Sequence, residues 1–82
     1  MVFESGHRAA FEAGYRAGAA ALAGNPNVSS MDARDAYRGV HSKVRRLHGS
    51  WWVDGYCAAL DLARGAYANA GAVLAVQLGL EG

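Results

Sequence analysis

Eighty-two residues with a formal charge of +1 and a single cysteine make one small domain, which buries only about 60 to 65% of the surface its unfolded chain exposes. The near-neutral balance excludes a surface that acts as a whole as a basic glove for nucleic acid. One cysteine, Cys57, excludes an intrachain disulfide and a cysteine-framed zinc site, so a reducing cytoplasm is the expected setting. Eighteen alanines against few β-branched residues favour helix over strand, and the fold class expected is all-α, a small bundle of three helices with a long third helix at its centre. Eleven glycines oppose helix formation unless some of them sit where a missing side chain lets two backbones approach.

The first helix is expected over residues 6–23. Ser5 is a candidate N-cap, and Gly24-Asn25-Pro26 supplies a C-cap glycine followed by a proline. Phe11, Tyr15 and Leu22, with Gly14 and Gly18 between them, form the side expected to be buried. Glu4, Arg8, Glu12 and Arg16 follow one another at i, i+4 spacing along a solvated side. These alternating charges also break the basic-then-apolar order of an export signal.

The second helix is expected over 31–47, capped by Ser29 or Ser30, with Asp32 and Asp35 near its positive end and Lys43, Arg45, Arg46 and His48 near its negative end. Ala33, Tyr37, Val40, Val44 and Leu47 give it a narrow apolar seam, and His48-Gly49 is its expected stop. The third helix is then expected over 51–79, with Ser50 as N-cap. At 100° per residue it carries two apolar stripes. Trp52, Val53, Tyr56, Leu60, Ala63, Tyr67, Leu74 and Leu78 make one. Trp51, Gly55, Ala58, Leu62, Ala66, Asn69, Val73, Val76 and Leu80 make the other.

One neighbouring surface cannot cover both stripes. A helix of about 28 residues is roughly 42 Å long, against roughly 27 Å for the first helix, so its apolar end overhangs. Either the helix breaks at Asn69-Ala70-Gly71 and a fourth short helix folds back, or a second copy of the chain covers the overhang. The second alternative makes the protein a homo-oligomer, with Trp51, Leu62, Val73, Val76 and Leu80 as its interface with a copy or another partner. The uncharged run 65–80 falls short of the about 20 residues that span a bilayer and contains Asn69 and Gln77, so no membrane span is expected.

Arg34, Arg38, His41, Arg45 and His48 recur at helical spacing and would form one basic stripe able to follow a phosphate backbone or an acidic partner. An ordinary solvated helix face accounts for the same spacing. His41 and His48 are two turns apart, no HxxxH or paired-carboxylate spacing occurs, and no metal or cofactor is expected. Asp54 and Asp61 read as solvent-facing, Asp61 within reach of Arg64. Cys57 has no neighbouring base or cation and reads as a small half-buried side chain. No convergent set of reactive groups points to an enzyme.

The residues Phe11-Glu12-Ala13-Gly14-Tyr15-Arg16-Ala17-Gly18, then Asn25-Pro26, then Trp52-Val53-Asp54-Gly55-Tyr56 resemble the ribosome modulation factor family and its short phage and plasmid relatives. The shared pattern is a GYxAG helix, an Asn-Pro turn and a helix carrying W-x-x-G-[WY]. The resemblance implies two helices crossing closely through Gly14, Gly18 and Gly55, and association with ribosomal RNA. The chain departs from that pattern by the segment between Pro26 and Trp52, by its apolar C-terminus and by its weak basicity. Taken together, the residues lead to a non-enzymatic regulatory protein that self-associates and modulates or inhibits a larger bacterial partner. Its alanine-rich, arginine-over-lysine composition fits a GC-rich bacterial or phage genome. The alternative is a ribosome- or RNA-associated factor using the basic stripe.

Overall fold

The computed structural model describes residues 5–39 and 42–81, with side chains for 6–39 and 50–81. Among these residues the chain forms four helices, α1 (Ser5–Gly24), α2 (Ser30–Arg38), α3 (Ser42–Ala63) and α4 (Ala70–Gln77), and the architecture is all-α. α3 is the central element, with the other three helices packed against it.

Glycine sets the crossing of α1 and α3. A Cβ built on Gly14 would lie 1.9 Å from the Trp52 carbonyl oxygen, one on Gly55 2.0 Å from that of Phe11, and one on Gly18 2.6 Å from that of Tyr56. All three separations are shorter than any real contact of such atoms, so only glycine fits. Close approach at these three positions brings Phe11, fully buried, into the body of the protein.

The two apolar stripes of α3 are both covered within one chain. On one side Trp52, Tyr56 and Leu60 bury against Ala10 of α1, Val28 of the α1–α2 connection and Ala33 of α2. On the other, Ala58 and Leu62 bury with Phe11 of α1 and with Ala72 and Ala75 of α4. Two fully buried alanines on α4 leave no bulk between the helices and let α4 lie flat.

Helix boundaries depart from the sequence expectation at three places. The second helix ends at Arg38, not at residue 47. The Gly39 amide donates to the Ala36 carbonyl at 3.0 Å, closing the last turn. α3 starts at Ser42 and runs through Gly49-Ser50 without a break, since continuing i→i−4 bonds satisfy backbone groups that a cap at Ser50 would have satisfied only in part.

The third helix ends at Ala63, sixteen residues short of the expected position 79. Gly65 adopts a left-handed φ of 79°. Its amide donates to the Leu62 carbonyl at 3.2 Å and the next amide, of Ala66, to the Asp61 carbonyl at 2.8 Å, the paired bonds of a Schellman stop. α4 then begins five residues beyond, with Asn69 as its N-cap position, and closes by the same device at Gly79, φ 73°. Here the Gly79 and Leu80 amides donate to the carbonyls of Val76 and Ala75, each at 3.0 Å.

The fold-back of a fourth short helix is therefore the route by which the chain covers its own second stripe, with the break at Gly65 rather than at Asn69-Ala70-Gly71. Tyr67, expected on the core stripe, falls past the end of α3 and is 62% exposed.

Short-range bonds fix the remaining connections. The Ser29 amide donates to Asp32 Oδ2 at 2.8 Å at the start of α2, which places a carboxylate at the positive helix end. The Arg64 guanidinium donates to the carbonyl oxygens of Val28 and Pro26. It thereby ties the end of α3 to the α1–α2 connection. Arg8 Nε pairs with Glu12 Oε1 at 3.1 Å on the solvated side of α1.

Candidate interaction surface

α1 covers one side of α3, and the opposite side is left as a floor between α2 and α4. Ser50, Val53, Asp54, Cys57 and Asp61 recur along that floor at 3- and 4-residue intervals, the spacing of one helix face. Three hollows open on it. The largest, about 610 Å³, lies toward α4 and is lined by Trp51, Asp54, Cys57, Asp61, Val73 and Gln77 among others. A second, about 520 Å³, lies toward α2 between Arg34, Tyr37 and Asp54. A third, about 530 Å³, takes in Met31, Arg34, Val53 and Cys57. The hollow toward α4 shares Asp54 with the second and Cys57 with the third, and the two toward α2 share Val53, so the three adjoin as one trough.

The two banks differ in chemistry. On α2, Met31 is 79% exposed and Arg34 stands one turn away, also exposed. Arg38 lies 3.5 Å from Asp35 in an exposed i, i+3 pair. On the α4 side Val73, 41% exposed, lines the same hollow as Asp54 and Asp61, and Val76 is 44% exposed. Asp54 and Asp61 are two turns apart, about 10 Å along the helix. Asp61 does not pair with Arg64, whose guanidinium is engaged by the Val28 and Pro26 carbonyls.

The electrostatics of the floor oppose nucleophilic chemistry. Burial pushes the Cys57 thiol above its ordinary range, and the carboxylates of Asp61 and then Asp54 push it further. An activated cysteine needs the opposite, a cation or a positive helix end that favours the thiolate. Partial desolvation raises the Asp54 carboxyl as well. Among the described residues no group of three His, Cys, Asp or Glu side chains could hold a metal ion, and no helix is long and apolar enough to cross a membrane.

The residues that sequence reasoning singled out are distributed unevenly over this surface. The basic stripe Arg34, Arg38, His41, Arg45 and His48 does not form on one helix, because α2 ends at Arg38. Arg34 and Arg38 are exposed on α2. His41 lies outside the described residues, as do the side chains of Arg45 and His48 in the first turns of α3. Of the expected interface set, Leu62 is buried within the chain at 8% exposure and cannot serve as a contact, because α1 and α4 already cover its side of α3. Trp51 is half-buried at the seam between the two core clusters, with its ring stacked on His7 at 5.0 Å. Leu80 is partly buried against the second cluster. Val73 and Val76 remain open.

The trough itself was not foreseen. The signal that could have found it is Arg64-Gly65, a basic residue followed by glycine, which marks a helix stop and so turns α4 back alongside Asp54 and Asp61. No protein-family model, curated protein or solved structure matches this chain.

Proposed function

We propose that this chain is a small non-catalytic binding protein that self-associates and modulates a larger bacterial partner, using the trough floored by α3. One observation carries the reading. Two open hollows that adjoin at Cys57 have exposed apolar side chains on their outer banks, Met31 on α2 and Val73 on α4. Exposed apolar residues gathered around a concavity are characteristic of protein contacts. The raised Cys57 thiol supports binding over nucleophilic catalysis. A free cysteine suits a reducing cytoplasm, and the composition suits a bacterial or phage protein.

A second reading, association with RNA or with the ribosome, draws on Arg34 and Arg38, exposed on successive turns of α2. It also draws on the glycine-mediated crossing of α1 and α3, which the resemblance to the ribosome modulation factor family implies. Sedimentation equilibrium and affinity capture from a bacterial lysate at low and high salt separate the two. The protein-binding reading expects an oligomer at tens of micromolar and one host protein retained at high salt. A strict monomer, or capture of RNA that falls steeply with salt, overturns it in favour of the second.

A further inference from the structure

We infer that the trough is one half of a two-fold interface with a second copy of this chain, in which Met31 and Arg34 of each copy lie over Val73 and Asp61 of the other. This rests on the self-association reading above and specifies the surface, the pairing and the symmetry.

A two-fold interface uses the same patch on both subunits, so the patch must be complementary to itself. The trough meets this condition. Its α2 bank ends in an apolar side chain, Met31, beside a cation, Arg34. Its opposite side offers an apolar hollow at Val73 beside an anion, Asp61. Asp35 is paired with Arg38, so Arg34 is the cation that carries the charge of the α2 bank outward. Asp61 is left to an outside partner, because the nearby Arg64 bonds to the α1–α2 connection.

Rotation by 180° about an axis through the middle of the floor exchanges the two sides. It brings a flexible thioether, suited to filling irregular apolar hollows, onto the hollow of the other copy, and a guanidinium onto its carboxylate. The middle of the floor is Asp54 and Cys57, the residues that the hollow toward α4 shares with one or the other of the hollows toward α2. The two copies of Cys57 therefore face one another near the axis. A body measuring 29 × 29 × 17 Å is large enough to supply the about 800 Å² per partner that a specific interface requires.

The test is a charge exchange. Arg34 and Asp61 lie on the surface, outside both core clusters, so Arg34→Glu and Asp61→Lys are each expected to keep the native circular dichroism spectrum and melting behaviour. Each variant alone is expected to dimerise at least about tenfold more weakly than the native chain, because every two-fold dimer contains the repulsive pair twice. Mixed in equal amounts, the two are expected to recover one attractive pair and form a heterodimer, seen by sedimentation and by native mass spectrometry. A short-spacer bis-maleimide at pH 8.5 is expected to link the native dimer through Cys57 and to leave the single variants unlinked.

The outcomes that overturn the inference are distinguishable. A native chain that is monomeric at tens of micromolar removes both the self-association reading and this interface. A native dimer that neither variant weakens, or that the bis-maleimide fails to link, leaves self-association standing and removes this interface. Recovery of association in the mixture supports it.

Discussion

The crossing of α1 with α3 and the seating of α4 on α3 both press a helix against the same central element, yet they are specified in opposite ways. At the crossing, backbone meets backbone. Built Cβ atoms on Gly14 and Gly55 fall at 1.9 and 2.0 Å from carbonyl oxygens. At the α4 seat the equivalent atom on Gly71 would stand 3.4 Å from Ala58 Cβ and from the Asp54 carbonyl oxygen, an ordinary contact distance. The crossing depends on the absence of side chains and tolerates nothing added. The α4 seat depends on two small buried side chains, Ala72 and Ala75, and leaves Val73 and Val76 outside. One contact holds the fold, and the other shapes the surface.

The largest expected effect breaks the first contact while sparing the second. Gly14→Ala or Gly55→Ala drives a methyl group into a carbonyl that belongs to another helix, and either is expected to destabilise by about 3 kcal/mol or more. Against a total stability of roughly 4–12 kcal/mol for a domain of this size, urea melts should show a large loss or no cooperative transition. Gly71→Ala is the matched control. Its steric contact is acceptable and alanine favours helix by about 1 kcal/mol, so stability should stay equal or rise. Equal losses at all three glycines would erase the distinction.

A smaller effect is expected at the corner that makes the second contact available. Gly65 holds a φ of 79°, where a Cβ costs about 1–2 kcal/mol. Gly65→Ala should lower stability by that amount in thermal or urea melts. It should also loosen α4 selectively, seen as faster amide exchange over residues 72–78 than over the centre of α3. Uniform acceleration across both helices would count against a separately seated α4.

The smallest effect is electrostatic. Desolvation raises the Asp54 carboxyl in the folded state, so its ionised form disfavours folding. The contribution is favourable below the unfolded carboxylate range and is lost as pH rises through the raised folded value. Asp54→Asn should therefore stabilise slightly at pH 7, by less than about 0.5 kcal/mol because the group is exposed and screened. The gain should vanish by pH 3. A gain that instead grew toward low pH would reverse the assigned sign.

The same contrast explains what could be read from the residues before the structure. The all-α class followed from composition and periodicity, and Gly14, Gly18 and Gly55 stood out because glycines amid aromatic residues on an otherwise good helix have few other uses. Two apolar stripes on the third helix were legible as well. Their covering was not, because Arg38-Gly39, His48-Gly49 and Arg64-Gly65 are the same local signal of a cation followed by glycine. The first and third end helices, whereas α3 runs through the second. A stop signal is decided by whether the chain on either side finds a surface to bury against, and that is a property of the whole fold. The trough could be read no further than the stop signal at Arg64-Gly65, since it exists only once α4 has turned back there.

The central claim is that the α1–α3 crossing holds the fold while α2, α4 and the floor between them associate. Amide chemical shifts recorded by NMR from dilute to concentrated solution test it most directly. Resonances of residues 31–38, 50–61 and 70–77 should move with concentration, and those of Ala9, Ala13, Arg16 and Ala20 on the exposed side of α1 should stay fixed. Shifts that do not move, or that move chiefly on the outer side of α1, would contradict it.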